Sequence, residues 1–439
     1  MARAYRMADL DGAEDLAVRA VEVARSAGDV DLELVALAQL GLIRVGKGET
    51  DAGFALIDEA MAAALAGERS TLDTVVYACC HMLNACELAS DIERAAQWCT
   101  VADDFVAAYG CPFLYAECRI YYGSVLTAKG RWDDAERELG AGLRITDGAC
   151  PGLRAKALTR LAGLRIRQGR LEEAEQLLAH LGQGAEGQAE EVLSLGALLL
   201  ARGDAPAASR NLEQRLRHLE EHRSHLAPAL ELLVDARLAT GDLEGAGVAA
   251  RRLADVASSA RADRVAAMAA GAQGRLSMAR GDPEAAVGHL EAALGMWSRL
   301  ELPFELARTR FELGRVLALS QPEAAIDHAR RALAAFDALG AALDADRVAA
   351  FLRSQGVLAA ASAGARGVGL LTAREQQVLR LLGGGLSNPE IAARLYVSRK
   401  TASHHVSSIL TKLNLRNRAE AAAYAVGVLG PPHRGSEPR

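Results

Sequence analysis

The chain has 439 residues, too many for one ordinary core, so several domains or a repeat array are required. It has no apolar run of about 18 residues, which excludes a membrane-spanning helix, and its start, MARAYRMADL, lacks the apolar core of a signal peptide. Charge is divided unevenly: residues 1–365 carry −13, whereas 366–430 carry nine basic against three acidic residues, so only a small terminal module suits a polyanion. A cytoplasmic protein is expected.

In chain order, DGAEDLAVRAVEVARSAG (11–28) reads as an amphipathic helix. The next segment, LELVALAQLGLIRV, sets Leu34, Leu37, Gly41 and Val45 on one helical stripe and runs into GLIRVGKGET (41–50). That stretch nearly spells the phosphate-binding loop G-x-x-x-x-G-K-[ST]. Gly41, Gly46 and Lys47 are in register, and Gly48 stands where the hydroxyl belongs. A phosphate loop needs a buried strand before it, and here a helix precedes it. The chain is therefore expected neither to bind ATP tightly nor to hydrolyse it.

All seven cysteines lie between Cys79 and Cys150 without a C-x-x-C pair, as expected for reduced thiols on buried helix faces. Cys79, Cys80, His81 and Cys86 invite a metal reading. Adjacent helical positions diverge by about 100°, however, and no recognised zinc spacing is present.

One phrase recurs: a small residue, a polar turn, then Ala five positions on. It reads GRWDDA at Gly130, GRLEEA at Gly169, GDAPAA at Gly203, GDLEGA at Gly241 and GDPEAA at Gly281. Weaker copies start at Gly48, Ser90 and Ser320, and successive copies lie 34 to 42 residues apart. That period, with amphipathic helices on both sides, predicts a helix–turn–helix solenoid. The Gly closes a helix A in the left-handed conformation, and the Ala lets helix B lie close to it. Seven residues before the turn glycine, Gly41, Gly123, Gly196 and Gly274 recur. The repeats resemble the tetratricopeptide type over most of residues 1–355, and the near phosphate loop becomes one repeat boundary. Lys47 then aligns with Lys129, Arg202 and Arg280 in the solvated last turn of helix A.

Counting one period back from Gly48 makes residues 11–28 a helix B whose packing Ala is Ala13. Its partner would precede Met1, and Leu16 and Val23 should be exposed. The chain thus reads as a shortened relative or a fragment. Further on, HLEEH (His218, Glu221, His222) matches the H-x-x-E-H pattern of inverted zinc peptidases, and His225 follows one turn later. Leu212, Leu216 and Leu219 already define the buried stripe of that helix, leaving the histidines on its polar flank, and no third ligand is identifiable.

A Gly/Ala/Ser-rich linker at 354–369 separates the array (1–353) from a terminal module at 370–430, with a disordered tail at 431–439. Thr372 and Glu375 form a capping box before Val378, Leu379 and Leu382. Ser387 or Asn388 caps a second helix, with Pro389 in its first turn and Ile391, Ala392 and Leu395 inward. Ser398 caps a third, 398–413, with Ala402, Val406, Ile409, Leu410 and Leu413 buried. Its other face offers Arg399, Lys400, Ser403, His404, Ser407 and Thr411 and no acid. RAEAAAYAVGVL is a fourth. Two short helices joined by a tight turn, the second basic outside, suit a DNA major groove.

The residues LTAREQQVL…GLSNPEIAARLYVSRKTASHHVSSILTKLNLRNRAEA are similar to the LuxR-type helix-turn-helix throughout. The resemblance implies a four-helix DNA-binding domain whose third helix reads bases, and dimers on inverted half-sites. By position it makes Ser403, His404 and Ser407 base-facing. Arg399, Lys400, Thr401, His405, Lys412 and Arg416 become phosphate or positioning contacts. Ser403 departs from the family's usual Lys or Arg, and Ala402 from its usual Val, which bears on the target sequence.

The whole resembles the C-terminal part of the large ATP-binding LuxR regulators, without their nucleotide-binding switch domain. The expectation is an all-α chain: a tetratricopeptide-like solenoid followed by a four-helix LuxR-type domain. It would be a bacterial transcriptional regulator and not an enzyme, with no cofactor and no metal. Its partners would be double-stranded DNA, a second copy on that DNA, and a ligand or protein on the solenoid, RNA polymerase included. The alternatives are an interaction scaffold, or a zinc hydrolase using His218, Glu221 and His222.

Overall fold

The structure, a computed structural model, describes residues 10–67, 70–89, 91–110, 112–146, 150–181, 188–220, 223–260, 262–357, 371, 373–395, 397–413, 415 and 417–429. Among these residues there are helices and no strand. α1 (Leu10–Ala27) is followed by the hairpins α2 (Val30–Gly46) with α3 (Thr50–Ala66), α4 (Asp73–Ala89) with α5 (Ile92–Tyr109), and α6 (Pro112–Ala128) with α7 (Trp132–Thr146). Next come α8 (Pro151–Gln168) with α9 (Leu171–Ala179), α10 (Gln188–Ala201) with α11 (Ala205–Glu220), and α12 (Arg223–Thr240) with α13 (Leu243–Ala260). α14 (Asp263–Ala279) with α15 (Pro283–Arg299), α16 (Pro303–Leu317) with α17 (Pro322–Leu339), and α18 (Ala342–Ser354) complete the array. The terminal helices are α19 (Ala373–Gly383), α20 (Asn388–Leu395), α21 (Arg399–Lys412) and α22 (Arg418–Leu429).

The recurring phrase does what its residues require. Gly48, Gly130, Gly169, Gly203, Gly241 and Gly281 all take positive φ between helices A and B. At Gly130 the reversal is a Schellman turn: Gly130 N donates to Thr127 O (3.2 Å) and Arg131 N to Leu126 O (2.9 Å). Where Asp follows the glycine it caps helix B. Asp204, Asp242 and Asp282 each accept a backbone N–H three residues on, at 2.8–3.1 Å. The packing alanines Ala95, Ala135, Ala174, Ala208, Ala246, Ala286 and Ala325 are all fully buried.

The second glycine series marks where helix A touches helix B. A Cβ on Gly123 would lie 2.6 Å from Leu139 Cγ, and one on Gly274 2.6 Å from Leu290 Cγ. Gly196 faces Leu212 in the same way, and Gly41 faces Ile57. A buried Leu or Ile nine residues after the turn thus plugs each glycine notch, a pairing that periodicity did not single out.

α1 behaves as a helix B. Ala13 and Ala17 pack with Leu40 and Ile43, while Leu16 and Val23 are exposed. The chain divides into two compact units, one of Met1–Ile166 with Leu171–Val316, the other of Arg167–Arg170 with Leu317–Arg439. In the first, buried residues from Val21 to Val125 form one core and those from Val192 to Leu302 another. The second contains α17, α18 and the four terminal helices.

Candidate nucleic-acid interface

Helices α19 to α22 share a core of Val378, Leu379, Leu382, Ile391, Ala392, Ala402, Val406, Ile409, Leu413, Ala421 and Ala425. Every inward position read from the helical stripes is buried here, except Leu395 and Leu410, which pack partly buried at its edge. Polar braces fix the two central helices. Ser387 N and Oγ both donate to Glu390 Oε2 (2.6 Å each), closing the first turn of α20 and holding that carboxyl below its usual range. Ser398 Oγ accepts the N–H of Thr401 (3.0 Å), so the start of α21 is capped as its sequence demands.

Three further braces carried no signal in the sequence, because each joins residues on different helices. Arg418 Nη1 donates to Asn388 Oδ1 (2.7 Å) and its other terminal nitrogen to Leu386 O. Arg374 donates to Leu395 O at the end of α20. Ser408 Oγ donates to the buried Glu375 (2.6 Å). Two of the module's arginines therefore bind backbone carbonyls near the ends of α20, and they are not free to meet a phosphate without breaking that brace.

The outer face of α21 presents Arg399, Lys400, Thr401, Ser403, His404 and Ser407, all exposed, with His405 half-buried. No acid lies anywhere on the helix. Thr401 Oγ1 also lies 2.8 Å from Ser398 Oγ, so its hydroxyl takes part in the cap. The side chains of Thr411 and Lys412, and residues Thr372 and Arg416, lie outside the described residues. So do the side chain of His218, and Glu221 and His222, together with the linker from 358 to 370 and the tail.

Two other candidate sites, around Lys47 and around Cys80, resolve into pairing and packing. Lys47 is not solvated as its alignment implied. Its ammonium is held by Asp11 Oδ1 (2.5 Å) and Glu14 Oε2 (2.7 Å) of α1, which raise its pKa. A lysine so committed cannot cradle a phosphate without giving up both partners. Micromolar ATP affinity abolished by Lys47→Ala would overturn this reading. Cys80 Sγ donates to Glu117 Oε2 (2.8 Å), and burial together with that carboxylate pushes the thiol up. Cys79, Cys86, Cys99 and Cys118 are buried, and His81 Nε2 lies 2.9 Å from Gln39 Oε1. Among the described residues no group of three or more His, Cys, Asp or Glu is placed to hold a metal ion. Among the same residues no helix is long and apolar enough to cross a membrane.

Residues 369–425 match the family of bacterial regulatory proteins known as the luxR family. The terminal domain is a LuxR-family helix-turn-helix domain. LnrK, a transcriptional regulatory protein of Bacillus subtilis (strain 168), is 52% identical over 56 residues, 13% of this chain and 26% of that protein. The response regulator VraR of Staphylococcus aureus is 45% identical over 56 residues, 13% of this chain and 27% of that protein. A Mycobacterium tuberculosis (strain ATCC 25618 / H37Rv) protein named as an HTH-type transcriptional regulator is 31% identical over 257 residues. That match covers 50% of this chain and 28% of that protein, and so extends beyond the LuxR-type domain. The chain thus spans about a quarter of the length of the curated relatives it matches. Among solved structures, a Rap protein complexed with competence and sporulation factor is 12% identical. It covers 74% of this chain and 98% of its own, with a TM-score of 0.47.

Proposed function

We propose that this protein is a sequence-specific DNA-binding transcriptional regulator, with α21 in the major groove and its activity controlled through the helical-repeat domain. The observation that carries the reading is the outer face of α21. It holds exposed cations in the first turn, then Ser403, His404 and Ser407, above a buried stripe that locks the helix on its domain. An acid-free helix face with donors one turn apart fits phosphates at its start and base edges further along. The LuxR-family match and the regulators among the relatives support it. The acidic array would be repelled by DNA, which leaves the module as the contact. On this reading two copies bind inverted half-sites, and a ligand or protein on the array sets the activity.

Two substitutions separate positioning from readout. Lys400→Ala should weaken binding to all duplexes alike and reduce the salt slope by roughly one, since one counterion fewer is released. His404→Ala should cost about 1–3 kcal/mol on the best site and relax preference at one base pair per half-site. Each variant is titrated against cognate and scrambled duplexes at several salt concentrations. If both leave affinity and selectivity unchanged, α21 is not in the groove and the proposal fails.

A further inference from the structure

Within the first unit, two repeat turns more than 170 residues apart in sequence touch. Lys129, in the turn after α6, donates to Leu300 O (3.2 Å) and Glu301 Oε2 (3.1 Å) at the end of α15. Three residues on, the Trp132 ring lies 5.9 Å from the Phe304 ring, tilted by 48°. The Trp132 indole is otherwise spent inside its own repeat, where Nε1 donates to Thr127 O (3.0 Å). Beside this cation on a helix-terminal carbonyl, the ion pair with a solvent-facing carboxylate and the ring pair, Ala128 packs against the core that holds Leu302, and Trp132 and Leu302 are both buried.

Glu301 is the second, independent observation. Among the described residues it is the one non-glycine with positive φ, at 52°, while twelve glycines hold that conformation elsewhere. Glu301 N donates to Ser298 O (3.2 Å) and Leu302 N to Trp297 O (3.2 Å), the same reversal that glycine makes at the other turns. Glycine would take this position without strain. What the glutamate adds there is the carboxylate that meets Lys129. A strained φ kept where glycine would fit, at the residue whose side chain makes the long-range contact, points to a use for that side chain.

We propose that residues 129–132 and 300–304 form a latch that holds the first unit closed, and that its release is the conformational step by which this repeat domain is switched. The proposal deepens the reading that the array controls the DNA-binding module, but its test involves no DNA. The ion pair and the ring pair are each worth at most about a tenfold shift in an equilibrium, so either can be lost without unfolding a hairpin.

The test is hydrogen exchange on the full chain, followed by mass spectrometry of peptides covering 126–135 and 297–306, for wild type and for Glu301→Gly, Lys129→Met and Phe304→Ala. Glu301→Gly is the discriminating variant, because it relieves the strained φ while removing the carboxylate. It should keep or raise the melting temperature and yet speed exchange at 126–135, the turn it does not belong to, by roughly three- to tenfold. Lys129→Met and Phe304→Ala should each speed exchange in both turns, and small-angle scattering of the Lys129→Met/Phe304→Ala double variant should show a larger radius of gyration. Exchange that changes only in the turn carrying the substitution, or an unchanged radius in the double variant, would overturn the latch. Failure of the duplex titrations with these results intact would instead remove the DNA-binding reading alone.

Discussion

Ile409→Asp is expected to unfold the terminal helix-turn-helix domain and leave the repeat array folded. Ile409 is fully buried in a core shared by all four terminal helices, so the variant loses an Ile side chain from that core and buries a carboxyl without a partner. Removing a buried Ile costs about 2–5 kcal/mol, and an unpaired buried polar group costs several more unless it takes up a proton. A domain of this size holds about 3–9 kcal/mol in total, so the loss is comparable with all of it. Hydrogen exchange on the full chain checks the result. Peptides from 373–425 should lose protection while those from the repeats keep it, and DNA binding should vanish with them. Retained protection across α19 to α22 would mean that Ile409 is not the centre of that core. His404→Ala and Lys400→Ala, on the opposite face, should leave protection as it is.

Gly41→Ala should destabilise the array by about 3 kcal/mol, against the local trend. In an exposed helix interior, alanine for glycine stabilises by about 1 kcal/mol. At Gly41 the new Cβ would lie 2.5 Å from Gly53 O and 2.5 Å from Ile57 Cγ1, and a backbone oxygen held in a helix cannot step aside as a side chain can. Gly53 faces back in the same way, its Cβ position 2.6 Å from Gly41 O. Gly163, inside α8 with nothing within 4 Å of its Cβ position, is the internal control, and Gly163→Ala should stabilise. The two melting temperatures should move in opposite directions. A rise for both would show that α2 and α3 do not approach through their glycines.

Gly41 also shows how a short motif misleads when its surroundings are ignored. Read alone, residues 41–50 are close to a phosphate loop; read in the period of the repeats, they are a helix end, and the structure has Gly48 at φ 87° between two helices. The turn glycines and the packing alanines were legible because each acts within one hairpin, through residues fewer than ten apart. The terminal domain was legible for the same reason. Its stripes at Val378, Ile391 and Ile409 and its caps at Ser387 and Ser398 are local patterns, and its sequence resemblance spans all four helices.

What the amino-acid order determined by itself was therefore the hairpin unit, its period, and a basic module with a distinct charge and core. Tertiary structure decided which groups meet across units of the repeat. Lys47 was expected to be solvated, but α1 lies within reach and supplies Asp11 and Glu14. Arg418 and Arg374 are among the module's nine basic residues, yet Arg374 closes on the carbonyl at the end of α20 and Arg418 on that of Leu386, just before α20. Lys129 and Glu301 have no pattern in common, and they meet only in the folded array. Helical periodicity fixes the face on which a side chain stands, to within one turn of its own helix. The partner across the gap depends on the summed packing angles of every hairpin between, and no local stretch of sequence carries that sum.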